Sequence, residues 1–118
     1  CQARKLEPSS RILSGLSAWV TGQRRSQSIT RTELEVIERS PKQPVKLNPL
    51  AHWSFEDVAE EMRRRGWPRH PLYQQGFRSI GCAPCTRAVA PDEDERAGRW
   101  WWESAEHKEC GLHGRNDR

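Results

Sequence analysis

Four cysteines fall at three separated places in the chain: Cys1, the pair Cys82 and Cys85 in Gly-Cys-Ala-Pro-Cys (81–85), and Cys110 in Lys-Glu-Cys-Gly-Leu-His (108–113). Thiolates do two kinds of work, holding soft metals or attacking electrophiles. A Cys-x-x-Cys pair serves as half of a zinc site, as a dithiol redox pair or as two ligands of an iron–sulfur cluster. A zinc site needs a second pair, and none exists here. A thioredoxin-like pair follows a strand and opens a helix, a pattern this neighbourhood supports poorly. The bland reading is two unrelated buried cysteines. Cys110 stands near Lys108, Glu109 and His113, and neighbouring positive charge would raise its thiolate fraction. Gly111 permits an unusual turn there, and the bland reading is an exposed tail cysteine.

A second constellation is cationic. Arg24, Arg25 and Arg31 share one segment, Arg96 and Arg99 another, and Lys5 lies near Cys1. Guanidinium forks match the oxygens of phosphate and sulfate, although such clusters are usually a solvated basic face. Trp100, Trp101 and Trp102 form a run. Indoles stack on bases, but anchoring of an irregular segment is the better reading of these three.

These residues need elements to position them. Residues 6–17 read as a short helix with Pro8 in its first turn and Ile12, Leu13 and Leu16 on one face. Residues 18–21 are a buried-strand candidate. Residues 23–31 read as a polar loop. Residues 34–38 alternate as a half-exposed strand does, Pro41 to Pro44 is a turn, and Val45 to Leu47 is another strand. The clearest helix is 54–65: Ser54 is a good N-cap with Asp57 three residues on, Phe55, Val58, Ala59 and Met62 line one face, and Gly66 with Pro68 ends it. Residues 68–81 are loop-like, and the chain after Ala90 is charged and irregular.

Composition bounds the rest. The chain has 118 residues, 34% hydrophobic and 31% charged, with net charge +4. That allows one small domain with a thin core, or part of a larger one. The basic balance favours anionic partners. No apolar run approaches the ~20 residues that span a bilayer, and no signal-peptide pattern is visible. Metal or redox chemistry in a reducing compartment is therefore expected over a secreted disulfide framework. The first residue is cysteine, which suggests sequence upstream.

Together, Ser79-Ile-Gly-Cys-Ala-Pro-Cys-Thr-Arg87, Glu93-Asp-Glu-Arg-Ala-Gly-Arg-Trp-Trp-Trp-Glu103 and Lys108-Glu-Cys-Gly-Leu-His113 resemble the C-terminal half of assimilatory adenylyl-sulfate reductases. Cys1-Gln-Ala-Arg-Lys-Leu-Glu-Pro8, Trp19-Val-Thr-Gly-Gln-Arg-Arg-Ser-Gln-Ser28 and Lys46-Leu-Asn-Pro-Leu50 agree, in order. The resemblance implies an α/β fold similar to the adenine-nucleotide α-hydrolases, a mainly parallel sheet flanked by helices, of which this chain supplies the later part. Residues 1–90 would be the C-terminal part of the reductase domain with the cluster loop. Residues 91–118 would be a mobile active-site tail.

The activity implied is reduction of adenosine 5′-phosphosulfate to sulfite and AMP through an S-sulfocysteine, with thioredoxin or a similar dithiol protein releasing sulfite. By position Cys110 matches the nucleophile and His113 the histidine of its motif. Lys5, Arg31, Arg96 and Arg99 match substrate-binding residues. Cys1, Cys82 and Cys85 match three ligands of a 4Fe–4S cluster whose fourth cysteine would lie just before residue 1. The resemblance further implies a cytoplasmic protein in sulfate assimilation and cysteine biosynthesis, homo-oligomeric at full length, with no nucleic-acid or membrane partner. A separate electron donor is expected, because the chain ends soon after His113. The 118 residues alone are expected to be inactive. The alternatives are a phosphoadenylyl-sulfate reductase, a zinc-binding nucleic-acid module and a Cys-x-x-Cys oxidoreductase.

Overall fold

A computed structural model describes residues 2–41 and 43–104. The chain is α/β, and its described residues divide into two compact units: one is 2–23 with 34–41 and 43–51, the other 24–33 and 52–104.

The first unit opens with a π-helical turn, Gln2–Leu6, that runs into helix α1, Glu7–Leu13, with Pro8 in its first turn. Proline fits there because the first helical N–H groups have no partner inside the helix. The helix stops four residues short of expectation. The Ser14 N–H closes on the Ser10 carbonyl at 3.0 Å and the Ser14 hydroxyl donates to the Arg11 carbonyl at 2.9 Å. Of the expected apolar face only Leu13 is half-buried, and Ile12 is 68% exposed.

A three-stranded sheet follows, in the order β1-β3-β2. Strand β1, Ala18–Val20, runs parallel to β3, Gln43–Leu47. Strand β2, Ile37–Ser40, is antiparallel to β3, with a register shift between Glu38 and Ser40. Strand β3 begins before Pro44, earlier than expected; a proline lacks a ladder donor and is tolerated at such an irregular strand start.

Strand β2 begins three residues later than the alternation predicts. The reason is Asn48, which is fully buried. Its Nδ2 donates to the Glu35 carbonyl at 2.7 Å and to Glu38 Oε1 at 3.0 Å, and its N–H donates to the Val36 carbonyl at 2.8 Å. Asn48 thus satisfies the carbonyls of 35 and 36, the first with its side chain and the second with its backbone N–H, where a ladder was expected. The Thr21 hydroxyl donates to Asn48 Oδ1, and the Thr21 N–H donates to the Leu47 carbonyl at 2.8 Å. Lys46 pairs with Glu38 at 3.2 Å. The centre of this unit is a satisfied polar network, which fixes a unique register where apolar burial is thin.

The second unit holds helix α2, Phe55–Arg64, and four short 3₁₀ turns. Ser54 and Asp57 form the expected capping box: the Ser54 N–H donates to Asp57 Oδ2 at 2.7 Å and the Asp57 N–H to Ser54 Oγ at 3.0 Å. At the other end Gly66 takes φ +66, the Gly66 N–H donates to the Arg63 carbonyl and the Trp67 N–H to the Met62 carbonyl. This is the Schellman stop that a glycine makes inexpensive. Beyond it a 3₁₀ turn, Pro71–Gln75, ends at Gly76. The segment 23–31, expected as a polar loop, carries two 3₁₀ turns, Arg25–Gln27 and Ile29–Arg31, flanked or ended by the buried Arg24 and Arg31. Among the described residues no helix is long and apolar enough to cross a membrane.

Candidate active site

Cys82 caps a 3₁₀ turn, Ala83–Cys85, in which Pro84 sets the backbone. The Cys85 N–H donates to the Cys82 carbonyl at 2.9 Å, and the Thr86 hydroxyl donates to the same oxygen at 2.9 Å. Both thiols are free, Cys82 exposed and Cys85 half-buried. A hydrogen-bonded turn with one exposed and one half-buried thiol suits a pair of metal ligands. Among the described residues no group of three or more metal-ligating side chains gathers.

The stretch 98–100 is laced to this turn. Thr86 and Arg99 form an isolated antiparallel bridge, the Arg87 N–H donates to the Gly98 carbonyl at 3.0 Å, and the Trp100 N–H donates to the Cys85 carbonyl at 3.2 Å. Gly98 allows this approach: a β-carbon there would overlap the Arg87 carbonyl oxygen. Trp100 is buried at φ +42, a left-handed conformation that costs a bulky residue ~1–3 kcal/mol and that its surroundings must enforce. The expected anchoring by tryptophan thus rests on Trp100. Trp101 and Trp102 are exposed and meet edge-to-face with centroids 4.7 Å apart.

Two of the expected anion-binding arginines surround Trp100. The Arg99 guanidinium lies 4.5 Å from its ring centroid and that of Arg96 6.0 Å, both within cation–π range. Arg99 is 9% exposed; Nη1 donates to the Ile80 carbonyl at 3.2 Å, and its buried Nε has no hydrogen-bond partner among the described residues. Arg31, the third, is buried in the same unit and donates from Nη1 to Gln27 Oε1 at 2.6 Å. Lys5 sits exposed on the π-helical turn of the other unit. Cys1, Cys110 and His113 lie outside the described residues.

Other charged side chains hold the frame. Arg24, 5% exposed, grips both oxygens of Glu95 at 2.8 and 2.9 Å. Its N–H donates to Gln27 Oε1, and Ser26 Oγ donates to the Trp53 carbonyl. Arg87 makes a two-point pair with Glu93 at 2.7 and 3.0 Å, and the hydrogen bond to that carboxylate holds the Arg87 pKa above its ordinary value. In sequence Arg24 stands among the candidate anion binders, and nothing there marks Glu95 or Gln27. Partners 71 positions apart leave no local signal. The glycine beside Cys82 and the one before Arg99 were the available hints of close approach.

The chain is 56% identical to the adenosine 5′-phosphosulfate reductase of Allochromatium vinosum, over 98% of this chain and 45% of that protein. It is 54% identical to the reductase of the same name from Burkholderia cepacia, over 96% of this chain and 46% of that one, and 51% identical to that of Rhizobium tropici, over 96% and 63%. The chain spans about half the length of the curated relatives it matches. Among solved structures, the phosphoadenylyl-sulfate reductase from Candida auris, determined as a phosphate complex, superposes with a TM-score of 0.58 at 33% identity, over 72% of this chain and 40% of that one. The model of the phosphoadenosine phosphosulfate reductase domain matches residues 1–88, and the chain belongs to that family.

Proposed function

We propose that the full-length protein reduces adenosine 5′-phosphosulfate to sulfite and AMP in cytoplasmic sulfate assimilation, feeding cysteine biosynthesis, with thioredoxin or a similar dithiol protein as donor. The observation that carries this reading is Arg99: a buried cation beside the Cys82–Cys85 turn that no carboxylate pairs with among the described residues. Its charge is left for an anion, in a chain whose curated relatives are named for a sulfonucleotide substrate.

In this reading Arg31, Arg96, Arg99 and Lys5 bind the phosphosulfate. Residues 91–118 act as the active-site tail carrying Cys110. The Cys110 thiolate attacks the sulfur, the bond from sulfur to the bridging phosphate oxygen breaks, and AMP leaves with that electron pair. The product is an S-sulfocysteine. The donor dithiol then attacks the Cys110 sulfur, releases sulfite and becomes a disulfide as its second thiol displaces Cys110. Attack brings thiolate and sulfate together, and fixed guanidinium groups offset that repulsion without reorganising. His113 stands in the tail motif beside Cys110.

Cys82 and Cys85 have the donor chemistry of two ligands of a 4Fe–4S cluster, presented on one short turn. Cys1 would be a third, and the fourth cysteine is not in this chain. When bound, the cluster supplies structural and electrostatic support to the site.

The test is turnover by the full-length protein with thioredoxin on adenosine 5′-phosphosulfate and on its 3′-phosphorylated analogue. Sulfite release is expected from the former, lost in Cys110→Ser, with a sulfonate adduct on Cys110 by mass spectrometry when donor is withheld. Preference for the 3′-phosphorylated nucleotide would assign the other substrate. No sulfite from either nucleotide would overturn the reading. The 118 residues alone are expected to give no turnover.

A further inference from the structure

Gly81 occupies a position where no side chain fits. A β-carbon built there would overlap the Nη2, Cζ and Nε atoms of Arg99. The backbone of Gly81 has an ordinary negative φ, so conformational freedom does not explain the glycine. What does is space: the Arg99 guanidinium fills the volume that the side chain of residue 81 would take. The contact is built on both sides. Arg99 Nη1 donates to the carbonyl of Ile80, the residue before Gly81, and the guanidinium packs at 4.5 Å from the Trp100 ring, whose own N–H is bonded to the Cys85 carbonyl. The guanidinium is therefore held by packing, one carbonyl and an aromatic ring, with no carboxylate among the described residues to neutralise it.

We propose that Gly81 is a positioning residue for Arg99, setting where its guanidinium stands relative to an anionic ligand by leaving a slot that only a missing side chain provides. This rests on the reading of Arg99 as a sulfonucleotide-binding residue. The slot lies directly before Cys82, so one dipeptide, Gly81-Cys82, faces Arg99 on one side and opens the dithiol turn on the other. The atoms that a methyl group at 81 would overlap all belong to the tip of the Arg99 side chain, so the substitution is accommodated by driving the guanidinium out of the slot.

The experiment compares Gly81→Ala, Arg99→Ala and the double variant in the full-length, cluster-loaded protein. A common Cys110→Ser background blocks sulfonation. The readouts are the dissociation constant for adenosine 5′-phosphosulfate, the thermal midpoint and the absorbance of thiolate-ligated iron. Misplacing a charged hydrogen-bonding group should weaken binding by about 10-fold to 100-fold. Gly81→Ala should match Arg99→Ala in this. In the Arg99→Ala background the same glycine substitution should change affinity by less than about 2-fold, since the two residues act as one. If Gly81→Ala alone fails to fold or to load its iron, the double variant should regain both, because the obstructing guanidinium is gone. Wild-type affinity in Gly81→Ala, equal costs in both backgrounds, or a double variant that stays unfolded each overturn the proposal. Unchanged affinity in Arg99→Ala instead overturns the assignment of Arg99 itself, and the proposal with it.

Discussion

Replacing Glu95 should destabilise the protein more than any surface ion pair could. Arg24 is 5% exposed, and its guanidinium meets both Glu95 oxygens at 2.8 and 2.9 Å, with Ser26 Oγ a further partner at 3.2 Å. The Glu95 side chain is itself mostly covered. In Glu95→Ala the guanidinium stays buried with one weak acceptor. Stranding one partner of a buried pair costs ~3–5 kcal/mol, and the partial access of Glu95 to water places this case near ~3 kcal/mol. With a urea m-value of ~1–3 kcal/mol/M the midpoint should fall by ~1–3 M. Glu95→Gln, which keeps an acceptor, should lose about half of that. The double variant Arg24→Met/Glu95→Leu should be more stable than Glu95→Leu alone, because no charge is left stranded. The pair also ties the segment carrying Arg31 to the segment carrying Arg96 and Arg99. Affinity for the nucleotide should therefore drop in Glu95→Ala even where the protein is still folded. Urea unfolding and ligand titration of the full-length protein measure both. A Glu95→Ala unfolding free energy within ~0.5 kcal/mol of wild type, or costs in Arg24 and Glu95 variants that simply add, would refute the reasoning.

Ser54→Ala removes the α2 cap and should cost ~1 kcal/mol in urea unfolding, with Ser54→Asn close to neutral. Hydrogen bonds from Arg64 and then Arg65 hold the Glu61 pKa down to about 2, from an ordinary 4.5. A depressed carboxylate contributes stability above its unfolded pKa and loses it as pH falls through the folded one. The stability difference between wild type and Glu61→Gln should thus be full above pH 4.5 and vanish towards about pH 2, read from urea midpoints across that window. Cys82→Ser and Cys85→Ser should each abolish bound iron and the visible absorbance of the full-length protein. Retention of both in either variant would remove that cysteine from the ligand set.

Legibility in the sequence followed the range of the interactions. Helix α2 was readable because its signals are local: Ser54, Asp57, the apolar face and Gly66 all lie within one short stretch. The family motifs were readable as strings, and the structure supplies a physical reason for two of them, since Thr21 of one bonds Asn48 of another. The start of β2 was misplaced because alternation at 34–38 cannot report that Asn48 captures two backbone carbonyls there. The apolar face assigned to α1 was a correct periodicity with a wrong consequence: Ile12 and Leu16 face outward, and helical spacing does not say what covers a face. A sequence shows charge but not its partner.

That last point decides how the arginines of such a chain should be sorted. Arg24, Arg87 and Arg99 all sit in the stretches that carry the chain's resemblance to the reductases, and Arg24 is the most buried of them. Burial alone would make Arg24 the best anion-binding candidate. Its charge, however, is already matched by Glu95, and that of Arg87 by Glu93. An anion arriving at either would have to displace a carboxylate held by two hydrogen bonds. Among the described residues Arg99 is held by groups that leave its charge intact: a carbonyl, an indole face and the slot that Gly81 leaves for its guanidinium. A binding arginine must be held without being neutralised. Packing and aromatic contact do that, whereas a salt bridge does not, and by this criterion the observed partners, rather than the depth of burial, single out Arg99.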